Sequence, residues 1–136
     1  MLIFKEEKPT VEQYNCLTEK VGWGVTDKEL IVTALDNTLY SVCAFNDDKI
    51  VGHARIIGDK TLFLYIQDVM VAPELQGKGI GTRLIEYVLK EVDRLKAVNP
   101  EIRTYLGASK GKEGFYRKFG FVSRNEADLG DGMILL

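Results

Sequence analysis

The chain has 136 residues, 46% of them hydrophobic and 28% charged, with a formal net charge of −2. That length fits one domain over residues 1–136 with a core of useful size, and the composition is that of an ordinary globular protein. The slight acidic balance argues against a general nucleic-acid binder, which carries a basic excess, and no apolar run approaches the roughly 20 residues that span a bilayer.

The first ten residues, MLIFKEEKPT, turn charged at Lys5. They predict a short first strand, LIFKE, and not a secretory leader, so a cytoplasmic location is expected. Pro9 and Thr10 open a helix: Thr10 and Gln13 have capping-box spacing, and Tyr14, Leu17 and Val21 share a face. The GWG at 22–24 breaks it. Thr26 and Glu29 repeat the capping-box spacing before a second helix carrying Leu30, Ile31 and Ala34. The period then changes. LYSVCAF and IVGHARIIG read as an antiparallel hairpin joined by NDDK. TLFLYIQDVMVA is almost wholly apolar and predicts a central strand covered on both faces. Pro73 stops it. A helix at about residues 80–96 follows, with Ile80, Leu84, Val88, Val92 and Leu95 in one stripe, widened by Ile85 and Leu89. IRTYLGA is a strand, KEGFYRKF a short helix ended by Gly120, and FVSR and GMILL supply closing strands. The order predicts an α+β, or mixed α/β, sheet domain.

Cys16 and Cys43 sit in the apolar-looking stretches YNCLT and SVCAF, where both are expected as buried free thiols. One histidine, His53, and no cysteine cluster argue against a metal site.

The densest chemical signal is QGKGIGTRL at 76–84, between the central strand and the long helix. A helix start leaves N–H groups unsatisfied and gathers positive partial charge, and glycines admit a ligand close to the backbone. The stretch is therefore either a tight turn or an anion cradle suited to phosphate or pyrophosphate, with Lys78 and Arg83 adding charge. The spacing matches neither the P-loop G-x-x-x-x-G-K-[ST] nor the dinucleotide G-x-G-x-x-G.

DVMVAP, then Gln76-x-x-Gly79-x-Gly81, an amphipathic helix, a strand and FYRKFGF at 115–121 together resemble the GNAT superfamily of acyl-CoA-dependent N-acetyltransferases. The resemblance covers nearly the whole chain in order of elements and is specific from about residue 68 to 121. It implies a mostly antiparallel twisted sheet of about six or seven strands, a splayed parallel pair formed by the fourth and fifth strands, and about four helices. It also implies acetyl-CoA as acyl donor, no metal, an amine of a small molecule or peptide as acceptor, and homodimers as a common assembly; charge and hydropathy add the expectation of no nucleic-acid or membrane partner. Backbone N–H groups of Gln76, Gly77, Lys78, Gly79, Ile80, Gly81 and Thr82 would hold the pyrophosphate. Val69, Met70 and Val71 would pair with pantetheine as a pseudo-strand, with an N–H near Val71 polarising the thioester carbonyl.

Tyr116 matches the family tyrosine that protonates the departing thiolate; a thiol with pKa near 8.5 and a phenol near 10 make its help mostly hydrogen bonding. Ser109 stands where many members carry an asparagine that contacts pantetheine. Three openings exist for the general base. Asp68 is one, since YIQDVMV is similar to the strand of glucosamine-phosphate acetyltransferases that carries Glu-Asp where this chain has Gln67-Asp68. Its other reading is a buried carboxylate paired with Arg55. His53 is the second, and water the third; the glutamate of histone-directed members is replaced by Tyr65. Trp23 falls where the family closes its acceptor pocket. Rival readings are an acyltransferase for a different acyl group, a non-catalytic acyl-CoA-binding module and a nucleotide-binding domain.

Overall fold

The computed structural model describes all residues, 1–136, and divides into two compact units, Met1–Tyr105 and Leu106–Leu136. In the first, β1 (Leu2–Lys5), β2 (Tyr40–Asn46), β3 (Lys49–Gly58) and β4 (Phe63–Val71) pair antiparallel in chain order. The β2–β3 hairpin turns on Asp47 and Asp48, both with positive φ (50° and 68°). That is the two-residue turn whose twist suits flanking strands. β5 (Arg103–Leu106) lies beside β4 at the sheet edge and runs parallel to it.

Helices α1 (Val11–Lys20) and α2 (Lys28–Asp36) precede the hairpin, and α3 (Ile80–Val98) links β4 to β5. α1 begins with the expected capping box: Gln13 N–H donates to Thr10 Oγ1 at 3.1 Å and Thr10 N–H to Gln13 Oε1 at 2.9 Å. The second box does not form. Asp27, not Thr26, caps α2, and the Asn15 amide instead clasps Thr26, accepting from its N–H at 3.0 Å and donating to its carbonyl at 3.1 Å. α2 buries Ile31 and Leu35, whereas the expected Leu30 and Ala34 are exposed. α3 buries the expected stripe Ile80, Leu84, Ile85, Val88, Val92 and Leu95 against β2, β3 and β4. It comes so near that a Cβ on Gly52 would lie 3.0 Å from Leu84 Cδ1 and 3.2 Å from Ile80 Cγ2. Cys43 is buried, but Cys16 is exposed, on the outer side of α1.

β4 corrects the expectation of a strand covered on both faces. Its buried residues are Leu64, Ile66, Asp68 and Met70, with Phe63 and Tyr65 exposed and Gln67, Val69 and Val71 half-buried. The two-sided strands are β2 and β3, buried from Ser41 to Phe45 and from Ile50 to Ala54. The apolar run of β4 has another cause. Arg55 pairs with Gln67 but His53 pairs with Met70, so β4 carries one extra residue opposite Ala54. Asp68, at φ 57°, is that bulge. Gly52 faces α3, so Ile56 and its partner Ile66 face α3 too. Past the bulge the parity reverses. Met70 joins Leu17, Cys43, Phe45 and Ile50 in the cluster packed against Tyr14 of α1 and Val21 at its C-cap, while Val71, opposite Gly52, faces α3. Each half of β4 is covered on one face, but on opposite faces.

The second unit holds α4 (Glu113–Arg117). It ends as expected at Gly120, whose φ of 93° lets Gly120 N–H reach Arg117 O at 3.0 Å and Phe121 N–H reach Tyr116 O at 3.4 Å. The closing strands do not form, so the sheet has five strands and not six or seven. After Phe121 the chain enters a 3-10 turn, Arg124–Ala127, clasped by Arg117, which donates to Glu126 Oε1 at 2.5 Å and Ser123 Oγ at 3.0 Å. Met133, Ile134, Leu135 and Leu136 are 82–107% exposed. A strand needs a ladder partner for its backbone groups, and this segment has none in its unit.

Candidate active site

Arg103 N–H donates to Leu62 O at 2.8 Å, so β5 starts level with the start of β4. Four residues later it ends level with about Ile66, and 67–71 continue past it. Ala72 N–H donates to Val51 O of β3 at 2.8 Å. Successive residues of a strand turn their N–H groups to opposite sides, so Val71 and Val69 turn theirs away from β3. This end of β4 therefore presents unpaired backbone donors along its free edge. Gln76 Nε2 donates to Val71 O at 3.1 Å and ties the glycine stretch to the strand end.

Gln76 N–H itself is used by the turn at Pro73–Leu75, donating to Pro73 O at 3.3 Å. Gln76 thus contributes its side chain to the local structure, and the cradle narrows to the backbone from Gly77 onward. Gly77 and Gly79 hold φ of 78° and 86°, and a Cβ on either would meet nothing within 4 Å. Gly79 is the N-cap of α3 and supplies no side-chain acceptor, so the first-turn N–H groups of Ile80, Gly81 and Thr82 have no cap from the protein. A glycine cap with positive φ before a nineteen-residue helix fits an anionic group. Ile80 offers only its backbone, because its side chain is buried against Gly52. Lys78 is exposed beside the cradle. Arg83 is turned elsewhere: its guanidinium lies 4.3 Å from the centre of the Phe4 ring.

Asp68 is a buried carboxylate paired with Arg55. Arg55 Nε donates to Asp68 Oδ2 at 2.6 Å, and the two side chains are only 12% and 6% exposed. Tyr14 Oη donates to the same oxygen at 2.8 Å. Burial and then the Asp68 charge push the Tyr14 phenol up to about 12, which keeps it a donor. Arg55 Nη1 donates to Thr38 Oγ1 at 3.0 Å, and Thr38 donates to Ala34 O at 2.9 Å, so the network reaches α2. Sequence reasoning missed Tyr14 and Thr38. Their one signal was an aspartate inside an apolar strand, which demands buried partners.

His53 is fully buried, and neither ring nitrogen has a hydrogen-bond partner. It meets the edge of the Tyr14 ring, with centroids 6.1 Å apart. Burial lowers its pKa to about 4 against the pull of the Asp68 charge, so the ring is neutral and out of a substrate's reach. Trp23 is 51% exposed between Gly22 and Gly24, whose φ are 85° and 84°. Within the second unit, Tyr116 packs edge-on against Phe115 and Phe121, and burial raises its phenol above 10. Ser109 is exposed in the turn before α4, where its carbonyl accepts from Lys112 N–H at 2.9 Å.

Residues 18–136 match the family described as the acetyltransferase (GNAT) domain. The chain belongs to the GNAT acetyltransferase family. It is 35% identical over 110 residues to an uncharacterized N-acetyltransferase ycf52-like protein of Prochlorococcus marinus, a match that covers 78% of this chain and 59% of that protein. The chain spans about three-fifths of the length of the curated relatives it matches. A probable acetyltransferase of Staphylococcus aureus superposes with a TM-score of 0.87 at 27% identity over the whole of both chains. A GNAT-family acetyltransferase of Streptococcus pneumoniae gives 0.83 at 28% identity over 100% of this chain and 98% of that one. GNAT members generally use acetyl-CoA. No helix of this GNAT chain is long and apolar enough to cross a membrane.

Proposed function

We propose that this chain, its two units acting as one domain, moves an acetyl group from acetyl-CoA to a primary amine of a small molecule or peptide. The observation that carries the reading is the free edge of β4 running directly into a left-handed glycine turn and an uncapped helix start. When bound, acetyl-CoA supplies an activated acetyl thioester. The chain's own residues hold it and manage protons. First-turn N–H groups of α3, with Gly77, Lys78 and Gly79, hold the pyrophosphate. The outward N–H groups of Val69 and Val71 pair along the pantetheine arm, with Met70 packed into the core between them, and the Val71 N–H polarises the carbonyl. Ser109 takes the place of the family asparagine. Trp23 forms a wall of the acceptor site between two glycine hinges. Tyr116 keeps its proton at neutral pH and offers it to the departing sulfur.

A primary amine reacts only when deprotonated. His53 is sealed from solvent, and Asp68 already accepts from Arg55 and Tyr14 on one oxygen. We assign the amine's proton to water and give Asp68 a holding role in place of the base.

The test is free-thiol release across a panel of amines. Wild type should turn over at least one amine, and Tyr116→Phe should lower kcat by about a hundredfold while coenzyme A affinity holds. Full activity in that variant would remove Tyr116 from the mechanism. Coenzyme A binding with no thiol release on any amine would favour the non-catalytic module. Gly79→Val, which places a β-branched side chain at φ 86°, should lose acetyl-CoA binding with the fold intact.

A further inference from the structure

Five residues other than glycine adopt positive φ: Asp47, Asp48, Lys60, Asp68 and Asp128. Four of them lie in turns or at a helix end; Asp68 alone lies inside a strand. Glycine is the usual residue at such a bulge, because a Cβ crowds the backbone there. A strained residue persists only when its surroundings over-determine it. Here they do so through one carboxylate oxygen, which accepts from Arg55 Nε and Tyr14 Oη. Arg55 is in turn fixed by Thr38, and Tyr14 by its place on α1 and its contact with the His53 ring.

The bulge does more than reverse side-chain parity. One extra residue also reverses the sides to which the following N–H groups point. Without it, Val69 and Val71 would turn their donors into the β3 ladder and Met70 would turn outward. We propose that Tyr14 and Arg55 are positioning residues: together they clamp Asp68 in the left-handed bulge and so set the phase of the backbone donors at Val69 and Val71. Neither side chain needs to touch a substrate. The inference rests on the coenzyme reading of β4, and it extends that reading to α1 and α2, whose hydrogen-bonded link to the cofactor strand runs through this clamp.

The experiment uses the full chain with Tyr14→Phe, Arg55→Gln and Asp68→Asn. Coenzyme A affinity is measured by calorimetry. Amide exchange is followed by NMR at Met70 and Ala72, whose N–H groups face β3. Tyr14→Phe and Arg55→Gln should each weaken coenzyme A binding about tenfold and speed exchange at both amides. Asp68→Asn keeps an oxygen for both donors but loses the charge that pairs with Arg55, so it should weaken coenzyme A binding by no more than Arg55→Gln does and speed exchange at the same two amides. Unchanged affinity and exchange in both Tyr14→Phe and Arg55→Gln would overturn the clamp. So would a turnover defect confined to Asp68→Asn, the signature of a base. If Arg55→Gln fails to fold, Tyr14→Phe, which loses a single hydroxyl, decides alone. If wild type binds no coenzyme A, the coenzyme reading fails, and exchange at Met70 and Ala72 in Tyr14→Phe still accepts or rejects the clamp.

Discussion

Two polar side chains, Asp68 and His53, lie on adjacent strands on the face of the sheet that α1 covers, and both are buried. Asp68 accepts two hydrogen bonds and is ion-paired. His53 has no partner on either nitrogen. The contrast separates two uses of a buried polar residue. A carboxylate kept as an anion cannot enter a core without donors, so partners had to be built for it from two elements, α1 and β3. An imidazole can enter by giving up its proton, and burial then costs less because the group is neutral. The first fixes backbone geometry. The second fills space next to Tyr14 and makes stability depend on pH.

The largest effect should come from stranding the fixed charge. Arg55→Leu leaves the Asp68 carboxylate buried with Tyr14 as its only donor. The variant should lose about 3–5 kcal/mol of unfolding free energy in urea titrations at neutral pH. Adding Asp68→Asn should return part of that loss, because a neutral amide tolerates burial better than a lone carboxylate. A loss below about 1 kcal/mol for Arg55→Leu would mean that the pair behaves like a surface ion pair, and the contrast with His53 would collapse.

The next effect is set by His53. Its folded pKa is about 4 against 6.5 for the ordinary imidazole. Between those values the unfolded chain binds more protons, so stability rises with pH across that window. The contribution is whole above about pH 6.5, falls as the pH drops through the window, and is lost by about pH 4, a change of about 3 kcal/mol. Asp47, Asp59, Glu74, Glu91 and Glu126 are held below their ordinary values, by hydrogen bonds and, in several, opposite charges. In the unfolded chain glutamates protonate near 4.5, so these groups add to the slope only at the acid end, and unfolding measured from pH 7 to about pH 5.5 reads His53. A flat profile there would contradict its sealed environment.

Much of this arrangement was legible in the sequence. Capping-box spacing placed α1, a 3.6-residue stripe placed α3, and Asp-Asp chemistry placed the hairpin, because those signals are local. The glycine stretch and the Phe-Tyr segment carried the family because their spacing reflects a backbone shape. What stayed hidden depended on a single inserted residue. In a one-dimensional reading, Leu64, Ile66 and Met70 share a face, and the apolar residues between them suggest coverage on the other face as well. The bulge at Asp68 puts the halves on opposite faces, and only strand register reveals it. Tyr14 was visible as a helix-face aromatic, but its hydroxyl partner lies 54 residues away. The exposed side of Cys16 and the unpaired GMILL segment were misread for a related reason: apolar neighbours in sequence do not guarantee an apolar neighbour in space.

The smallest effect gives the finest test of the contrast. His53→Leu replaces a ring with two unsatisfied nitrogens by an apolar side chain of slightly larger volume and different shape. At pH 7 the ring is already neutral, so the substitution relieves an unmet hydrogen-bonding demand and loses some packing against Tyr14 and Met70. These terms oppose each other, and the net change should lie within about 1 kcal/mol of wild type. The same variant should remove the slope between about pH 5.5 and 6.5, since no group with a depressed basic pKa remains on that face. A loss of several kcal/mol at pH 7 would mean that His53 has partners after all, such as a buried water, and belongs with Asp68 among the residues that hold β4 in place. Stability that is flat with pH and unchanged at neutrality would leave the paired carboxylate as the one polar group on this face that determines the shape of the cofactor strand.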